Sequence, residues 1–175
     1  MAVLLNNLQR TAEHINALNE WVGRSIAWLS LLMVLVTFTI VLLRYLFNIS
    51  WIGMQESVIY FHSIVFMFGA AYTLKQDAHV RVDIVYQHLS VRGKAWVDLL
   101  GTVFLLLPVA GFIFWSSWEY VLDAWDILEG SRNSGGLPLV YVLKSCLLAM
   151  SGLLFLQGIG LILHKLVQLI EPQHG

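Results

Sequence analysis

The stretch SIAWLSLLMVLVTFTIVLLRYLF, Ser25–Phe47, decides the fold class of this chain. Arg44, near its end, is its only charged residue. A helix needs ~20 mostly apolar residues to cross the ~30 Å of hydrocarbon in a bilayer. Similar stretches follow at roughly Met54–Leu74, Trp96–Trp118 and Leu137–Leu163, and none alternates apolar and polar residues as the strands of a membrane barrel do. We therefore predict an all-α integral membrane protein, a single domain with four transmembrane helices.

The composition agrees with a membrane protein and excludes several other classes. Of the 175 residues, 58% are hydrophobic and 12% are charged, and a soluble domain rarely tolerates such an excess of apolar surface. The net charge of -1 gives no reason to expect a nucleic-acid partner. The first apolar run starts too late and is too long for a signal peptide, so we interpret it as a retained anchor. The single cysteine, Cys146, lies in the fourth stretch, where we expect a packing residue.

The basic residues are divided unevenly between the two sides of a four-span protein. Seven of the ten lie on the side that holds both termini, at Arg10, Arg24, Lys75, Arg81, Arg92, Lys94 and Lys165. The other side holds Arg44, Arg132 and Lys144. Because Lys and Arg accumulate in short cytoplasmic loops, we predict that both the N- and the C-terminus are cytoplasmic.

Two segments outside the spans have the pattern of amphipathic helices. Before the first span, apolar residues recur at three- and four-residue steps, at Leu4, Leu8, Ala12, Ile15, Leu18 and Val22. We predict an N-terminal amphipathic helix that lies on the inner leaflet or leads directly into the first span. In the cytoplasmic loop Lys75–Lys94, Val82, Val85, Tyr86 and Leu89 favour a short interfacial helix.

Three local features add detail to the third and fourth spans. Ser90 is placed to cap the helix of the third span. Pro108 removes one backbone hydrogen bond within that span and predicts a bend there. Ser145, Ala149 and Gly152 form a stripe of small residues on the fourth span, where another helix can approach closely.

Ionisable groups near membrane depth are the first candidates for a function. Arg44 ends the first span and Glu56 begins the second, and the short hairpin between them brings both to a similar depth. We predict an Arg44–Glu56 ion pair, the alternative being that both reach water independently. Trp51 stands in this hairpin, where aromatic rings favour the interface. Asp98 and Lys144 lie near span ends, where each can bind a lipid headgroup, a neighbouring helix or water.

The histidines do not form the pattern of a cofactor site. His62 lies about two turns into the second span, and we expect a hydrogen-bonded packing residue there. His79, His88 and His164 lie at or beyond the cytoplasmic ends of the spans, so none pairs with His62 at equal depth to hold a haem. His79 and Asp83 are one helical turn apart, but two ligands in a solvated loop are poor evidence for a metal site. No nucleophile–base pair or phosphate-binding loop is recognisable, so we expect neither enzymatic activity nor a cofactor in this chain.

Several segments, in their order and spacing, are similar to those of a known family. They are Leu43-Arg44-Tyr45, Trp51 with Glu56, Gly69-Ala-Ala-Tyr72, His79-Val-Arg-Val-Asp83 and Asn133-Ser-Gly-Gly-Leu-Pro138. From Trp21 to about Leu163 the chain resembles the small (DctQ-like) membrane subunit of tripartite ATP-independent periplasmic, or TRAP, transporters. It departs from that pattern at Gln55, where many relatives carry an acidic residue.

The resemblance implies a subunit of an importer in the bacterial inner membrane. In such systems a periplasmic binding protein delivers an organic acid to a large multi-span subunit. That subunit holds the substrate and sodium sites and moves them in an elevator-like manner, driven by the sodium gradient. The small subunit packs beside its static scaffold, so we expect no substrate-binding residue in this chain.

Residues with polar or aromatic side chains near the span ends are our candidates for structural or interface contacts. They are Arg44, Trp51, Glu56, His79, Asp83, Asp98 and Lys144. On the outer side, Glu119, Asp123 and Asp126 are candidates for docking the periplasmic protein, the alternative being a solvated helix end. We also expect contacts with membrane lipids.

Two other classes of function remain as alternatives. A redox membrane anchor would position cofactors for a partner enzyme, and pairs of histidines at one depth would favour it. A small self-assembling exporter would need a functional carboxylate within the spans. Glu56, in the first turn of the second span, is the one candidate, and a weak one. Autonomous transport also commonly needs internal repeats and polar groups at the midplane, whereas the midplane here is almost apolar.

Overall fold

The computed structural model describes residues 2–77 and 86–170 of the chain. Within these ranges the long elements are all helices. They are α1 (Ala2–Phe47), α2 (Ile52–Lys75), α3 (Val91–Gly101), a π-helical turn (Thr102–Leu106), α4 (Leu107–Asp126) and α5 (Val140–Ile170). In the described ranges, four helical segments are long and apolar enough to cross a membrane, and α3, the π-helical turn and α4 together form one of them. The predicted all-α class with four transmembrane helices is confirmed.

The amphipathic N-terminal segment and the first span are one continuous helix. With 46 residues and a rise of about 1.5 Å per residue, α1 is about 70 Å long, more than twice the hydrocarbon thickness. No proline interrupts it. Ala12, on its predicted apolar face, is buried, and Ile15 lies against Gly160 of α5. Of the two predicted placements, the helix that leads directly into the span is confirmed; Ile15 of its apolar face contacts α5, whereas Leu18 is 44% exposed.

Helix α5 is the central element of the fold. It packs against α1, α2, α3 and α4, and α1 also packs against α2. In the most apolar 18 residues of each span, none is buried in α1 and 6% are buried in α2, whereas 28% are buried in α5. The helices therefore form an open arrangement around α5, with broad apolar faces of α1, α2 and α4 left uncovered.

The small residues of α5 allow this close packing. Gly152 of the predicted stripe faces Phe114 of α4, and the Ser145 hydroxyl accepts a 2.8 Å hydrogen bond from the Trp125 indole. The closest approach lies further along the helix at Gly158, where an added Cβ would lie 2.8 Å from Leu107. Cys146 is buried within α5, as expected for a packing residue.

A π-helical turn accompanies Pro108. The backbone N–H of Leu107 donates to the carbonyl of Thr102, five residues back. Proline lacks an N–H and its ring would clash with the carbonyl four residues earlier, and a wider turn relieves this clash. At the start of α3, Ser90 is the predicted cap, because its hydroxyl accepts a hydrogen bond from the N–H of Gly93.

We name the two ends of the helices by the chain segments found there. The hairpin end holds the turn between α1 and α2 and the loop 127–139 between α4 and α5. The terminal end holds Ala2 and Ile170. This placement decides which polar side chains can meet.

Candidate functional site

The most extensive polar site at the hairpin end is centred on Glu56, in the first turns of α2. Its Oε1 accepts hydrogen bonds from the Ser131 hydroxyl at 2.5 Å and the Asn133 side-chain amide at 2.9 Å. Its Oε2 accepts one from the backbone N–H of Leu137 at 2.7 Å. We call Glu56, Ser131, Asn133 and Leu137 the Glu56 clasp. The clasp ties the loop before α5 to the start of α2, since both carboxylate oxygens are engaged by one loop.

The glycines of the loop give the carboxylate access to these donors. Gly135 has a φ of +78°, in the left-handed region that glycine adopts at little cost. At Gly136 an added Cβ would lie 2.4 Å from the Ser131 hydroxyl oxygen and 2.7 Å from Glu56 Oε1. Gly53 of α2 is buried, and an added Cβ there would lie 3.1 Å from the Gly135 carbonyl oxygen. The loop and α2 therefore approach too closely for larger residues.

The predicted Arg44–Glu56 ion pair is wrong. Arg44 is exposed on α1 and makes no ion pair with the residues that the structure describes. The loop supplies Glu56 with three donors, one of them a backbone amide in a fixed position, so the carboxylate needs no cation. Trp51, the other candidate in this hairpin, is 60% exposed at the N-cap position of α2, which agrees with an interfacial aromatic residue.

A second polar contact at the hairpin end joins α4, the loop and α5. The Lys144 ammonium lies 2.5 Å from a carboxylate oxygen of Glu129 and 3.9 Å from the centre of the Tyr120 ring. The predicted environments for Lys144 were a lipid headgroup, a neighbouring helix or water; its ammonium lies over Tyr120 of the neighbouring helix α4 and also pairs with a loop carboxylate, which was not predicted. Glu129 is thus neutralised within the chain. The three docking candidates, in contrast, are exposed and make no ion pair with described residues; they are Glu119, Asp123 and Asp126.

Ion pairs also hold the terminal end together. Glu20 of α1 accepts a short hydrogen bond from Lys75 at the end of α2, and its other oxygen lies 2.6 Å from Arg24 Nε. Asp98 of α3 lies 2.7 Å from the Lys165 ammonium of α5 and accepts hydrogen bonds from the Tyr86 hydroxyl at 3.0 and 3.1 Å. Asp98 therefore binds a neighbouring helix, one of its three predicted environments.

A buried amide cluster lies close to these ion pairs, and the sequence reasoning missed it. Asn19 donates to Gln157 Oε1 at 2.7 Å, and the Gln157 amide donates to Asn16 Oδ1 at 2.9 Å. Asn19 and Gln157 are almost fully buried. Asn16 stands outside the apolar series of the amphipathic segment. Gln157, a polar residue within the apolar fourth span, was the signal that could have revealed the cluster.

His62 differs from its prediction. It lies exposed on α2, stacked on Phe66 with 6.2 Å between ring centres, and has no hydrogen-bond partner among the described residues. Within the described part of this chain, the expectation of a hydrogen-bonded packing residue is therefore wrong.

Some predicted features lie outside the described residues. They include His79 and Asp83, and most of the predicted interfacial helix, of which the described ranges contain only Tyr86 and Leu89. In the ranges that the structure covers, no group of three or more His, Cys, Asp or Glu side chains is arranged to hold a metal ion.

Polar contacts thus lie at the hairpin end and at the terminal end of the helices, and apolar faces lie between the two ends. A family model described as "Tripartite ATP-independent periplasmic transporters, DctQ component" matches residues 33–168, which is more than half of the chain. The match includes all four residues of the Glu56 clasp. Neither the curated proteins nor the solved structures contain a match.

Proposed function

Since the chain belongs to the DctQ family, a component of tripartite ATP-independent periplasmic transporters, we propose that it is the scaffold subunit of a sodium-coupled importer of an organic acid. In this proposal a large multi-span subunit holds the substrate and the sodium ions. A periplasmic binding protein delivers the organic acid. The present chain binds the large subunit within the bacterial inner membrane. There it packs beside the static scaffold of the large subunit and makes that scaffold wider.

The observation that carries this proposal is the position of the polar contacts along the helices. The Glu56 clasp and the Lys144–Glu129 pair lie at the hairpin end, whereas the Glu20–Lys75 and Asp98–Lys165 pairs lie at the terminal end. A helix that carries charges at both interfaces resists movement along the membrane normal, because drawing each charge through hydrocarbon costs several kcal/mol. This arrangement supports a static subunit and not a moving carrier.

The apolar faces between the two ends support a subunit that binds another membrane protein. Val34, Phe66 and Phe112 are 60–71% exposed on three different helices, and lipid or a partner helix can cover them. For orientation, we propose that the terminal end is cytoplasmic, on the basis of the positive-inside rule applied to the basic residues.

Purification of the tagged chain from its native membranes in a mild detergent tests the proposal. We expect a large multi-span membrane protein to co-purify in stoichiometric amount, as identified by mass spectrometry. Proteoliposomes that contain both chains and receive the loaded binding protein should take up the organic acid in the presence of a sodium gradient, and liposomes with this chain alone should not. Recovery of the chain alone would instead support the self-assembling exporter, and a haem-bearing or soluble catalytic partner would support the redox anchor.

The exposed acidic group Glu119, Asp123 and Asp126 leads to a separate prediction. The spacing of four and three residues places these carboxylates on one face of the last turns of α4, and we propose that they meet basic residues of the binding protein. The variant D123K/D126K should slow uptake about tenfold at low salt, since exposed charges act mainly on the association rate.

Two comparisons check this electrostatic interpretation. The defect of D123K/D126K should shrink as the salt concentration rises, because salt screens exposed charges. The control E13K reverses an exposed acid at the terminal end and should leave uptake unchanged. Equal uptake by D123K/D126K and wild type at low salt would exclude the docking role.

A further inference from the structure

His62 occupies an unusual position for an ionisable side chain in a transmembrane helix. It is the eleventh residue of α2, which spans Ile52–Lys75, so it lies about 15 Å below the hairpin end of that helix. This depth is about half of the hydrocarbon thickness. The side chain is nevertheless exposed, whereas polar groups at this depth normally face protein or a water-filled cavity.

The imidazole lies within a continuous uncovered stripe of α2. Gln55, Ile59, His62 and Phe66 follow one another at steps of four, three and four residues, and all four are exposed. Ile59 is 56% and Phe66 is 70% exposed. The stripe runs along about 16 Å of the helix, which is a suitable length for contact with one further transmembrane helix. The α1 side of α2 is already covered, because α1 packs there through Gly23 and Tyr72.

The hydrogen-bonding needs of His62 specify the chemistry of whatever covers this stripe. A neutral imidazole has one N–H donor and one nitrogen acceptor, and neither is satisfied within the described residues. Lipid tails offer no partner, and leaving a polar group unpaired in hydrocarbon costs several kcal/mol. The stacked Phe66 ring covers part of the imidazole but supplies no conventional hydrogen bond.

We infer that the stripe Gln55–Ile59–His62–Phe66 binds a transmembrane helix of the large subunit that presents a hydroxyl or amide side chain to His62 at the bilayer midplane. This inference rests on the proposed function. A hydroxyl or amide both donates and accepts, so it can pair with His62 through either nitrogen, whichever of the two carries the proton. In a symmetric pair of copies the two imidazoles could share only one hydrogen bond, in which one ring donates and the other accepts, so the two copies could not make the same contact.

Site-specific photo-crosslinking in native membranes tests the contact directly. We place p-benzoyl-phenylalanine at Phe66, irradiate, purify the tagged chain and map the adduct by mass spectrometry. The expected adduct lies in a transmembrane segment of the multi-span protein that co-purifies with the unmodified chain. It should lie within about one helical turn of a Ser, Thr, Asn or Gln. The crosslink needs no destabilising substitution at His62, so the test does not depend on the folding of a His62 variant.

Two substitutions then test the hydrogen bond itself. H62L keeps the face apolar but removes both hydrogen-bonding groups, and we expect the amount of large subunit retained in detergent to fall about threefold to tenfold. H62Q offers a donor and an acceptor at a similar reach and should retain the large subunit. If H62L and H62Q both lose the large subunit to the same extent, or if both retain it, the proposed role of the imidazole is overturned.

The remaining outcomes separate this inference from the proposed function. If the large subunit co-purifies but Phe66 gives no protein adduct, or crosslinks a second copy of this chain, the inference fails and the proposed function stands. If no multi-span protein co-purifies with the wild-type chain at all, the proposed function fails and this inference fails with it.

Discussion

Replacing Glu56 by alanine is expected to detach the loop 127–139 from α2. Removal of the Glu56 carboxylate leaves the Ser131 hydroxyl, the Asn133 amide and the Leu137 backbone N–H without their acceptor. The backbone N–H matters most, because it cannot turn toward another partner without moving the chain, and a donor left unpaired in a partly buried place is costly. We expect E56A to lower the unfolding temperature in detergent by about 5 °C or more. E56Q should have a smaller effect, because its amide keeps one acceptor oxygen but turns an NH₂ group toward a donor.

Two measurements detect the effect of E56A on stability. Fluorescence-monitored unfolding gives the shift in temperature, and limited proteolysis from the hairpin side should cleave the loop faster in E56A than in wild type. Q55A is the matched control, since Gln55 is the adjacent exposed residue and its side chain, among the described residues, donates to its near neighbour Ser50. If E56A and Q55A unfold at the same temperature, the clasp is not a stabilising element.

Substitution of Gly23 should have the second large effect, at the contact of α1 with α2. An added Cβ at Gly23 would lie 2.4 Å from two ring carbons of Tyr72 and 2.8 Å from its Cβ. The Tyr72 Cβ is attached to the α2 backbone, so rotation of the side chain does not remove the clash and the helices must separate. The Glu20–Lys75 ion pair, one turn away, would then lengthen. We expect G23V to destabilise the protein by about 1–3 kcal/mol, the usual cost of overpacking.

The control for Gly23 is another helical glycine with free space around it. An added Cβ at Gly101 meets nothing within 4 Å, and replacing glycine by alanine in a helix contributes about 1 kcal/mol of propensity. G101A should therefore unfold at the wild-type temperature or above it, whereas G23V should unfold several degrees lower. Wild-type stability in G23V would mean that α1 and α2 are not packed through this glycine.

The helices and their order could be predicted from the sequence because they depend on composition along the chain. An apolar run of sufficient length is stable across hydrocarbon whatever its neighbours are, since its backbone hydrogen bonds are internal. The amphipathic pattern before Ser25 likewise predicted a helix, but it left open whether that helix lies on the inner leaflet or leads into the first span, as it does. The cap at Ser90 is similarly local, because donor and acceptor are three residues apart.

The partners of the polar side chains could not be predicted in this way. Glu56 and Arg44 are close in sequence and at similar depth, yet Glu56 binds Ser131, which lies 75 residues further along the chain. The cluster of Asn16, Asn19 and Gln157 joins residues up to 141 positions apart. Hydropathy describes how each residue interacts with its solvent, and it carries no information on which two helices become neighbours.

By itself, therefore, the sequence determined that this protein lies in a membrane, how many times it crosses and where its helices carry charge. The tertiary structure alone decided that α5 is central, that the loop before α5 closes over Glu56, and that His62 remains uncovered. The physical reason is that transfer into hydrocarbon is a property of each segment, whereas packing and hydrogen bonding are properties of pairs. Those pairs exist only after the helices have associated.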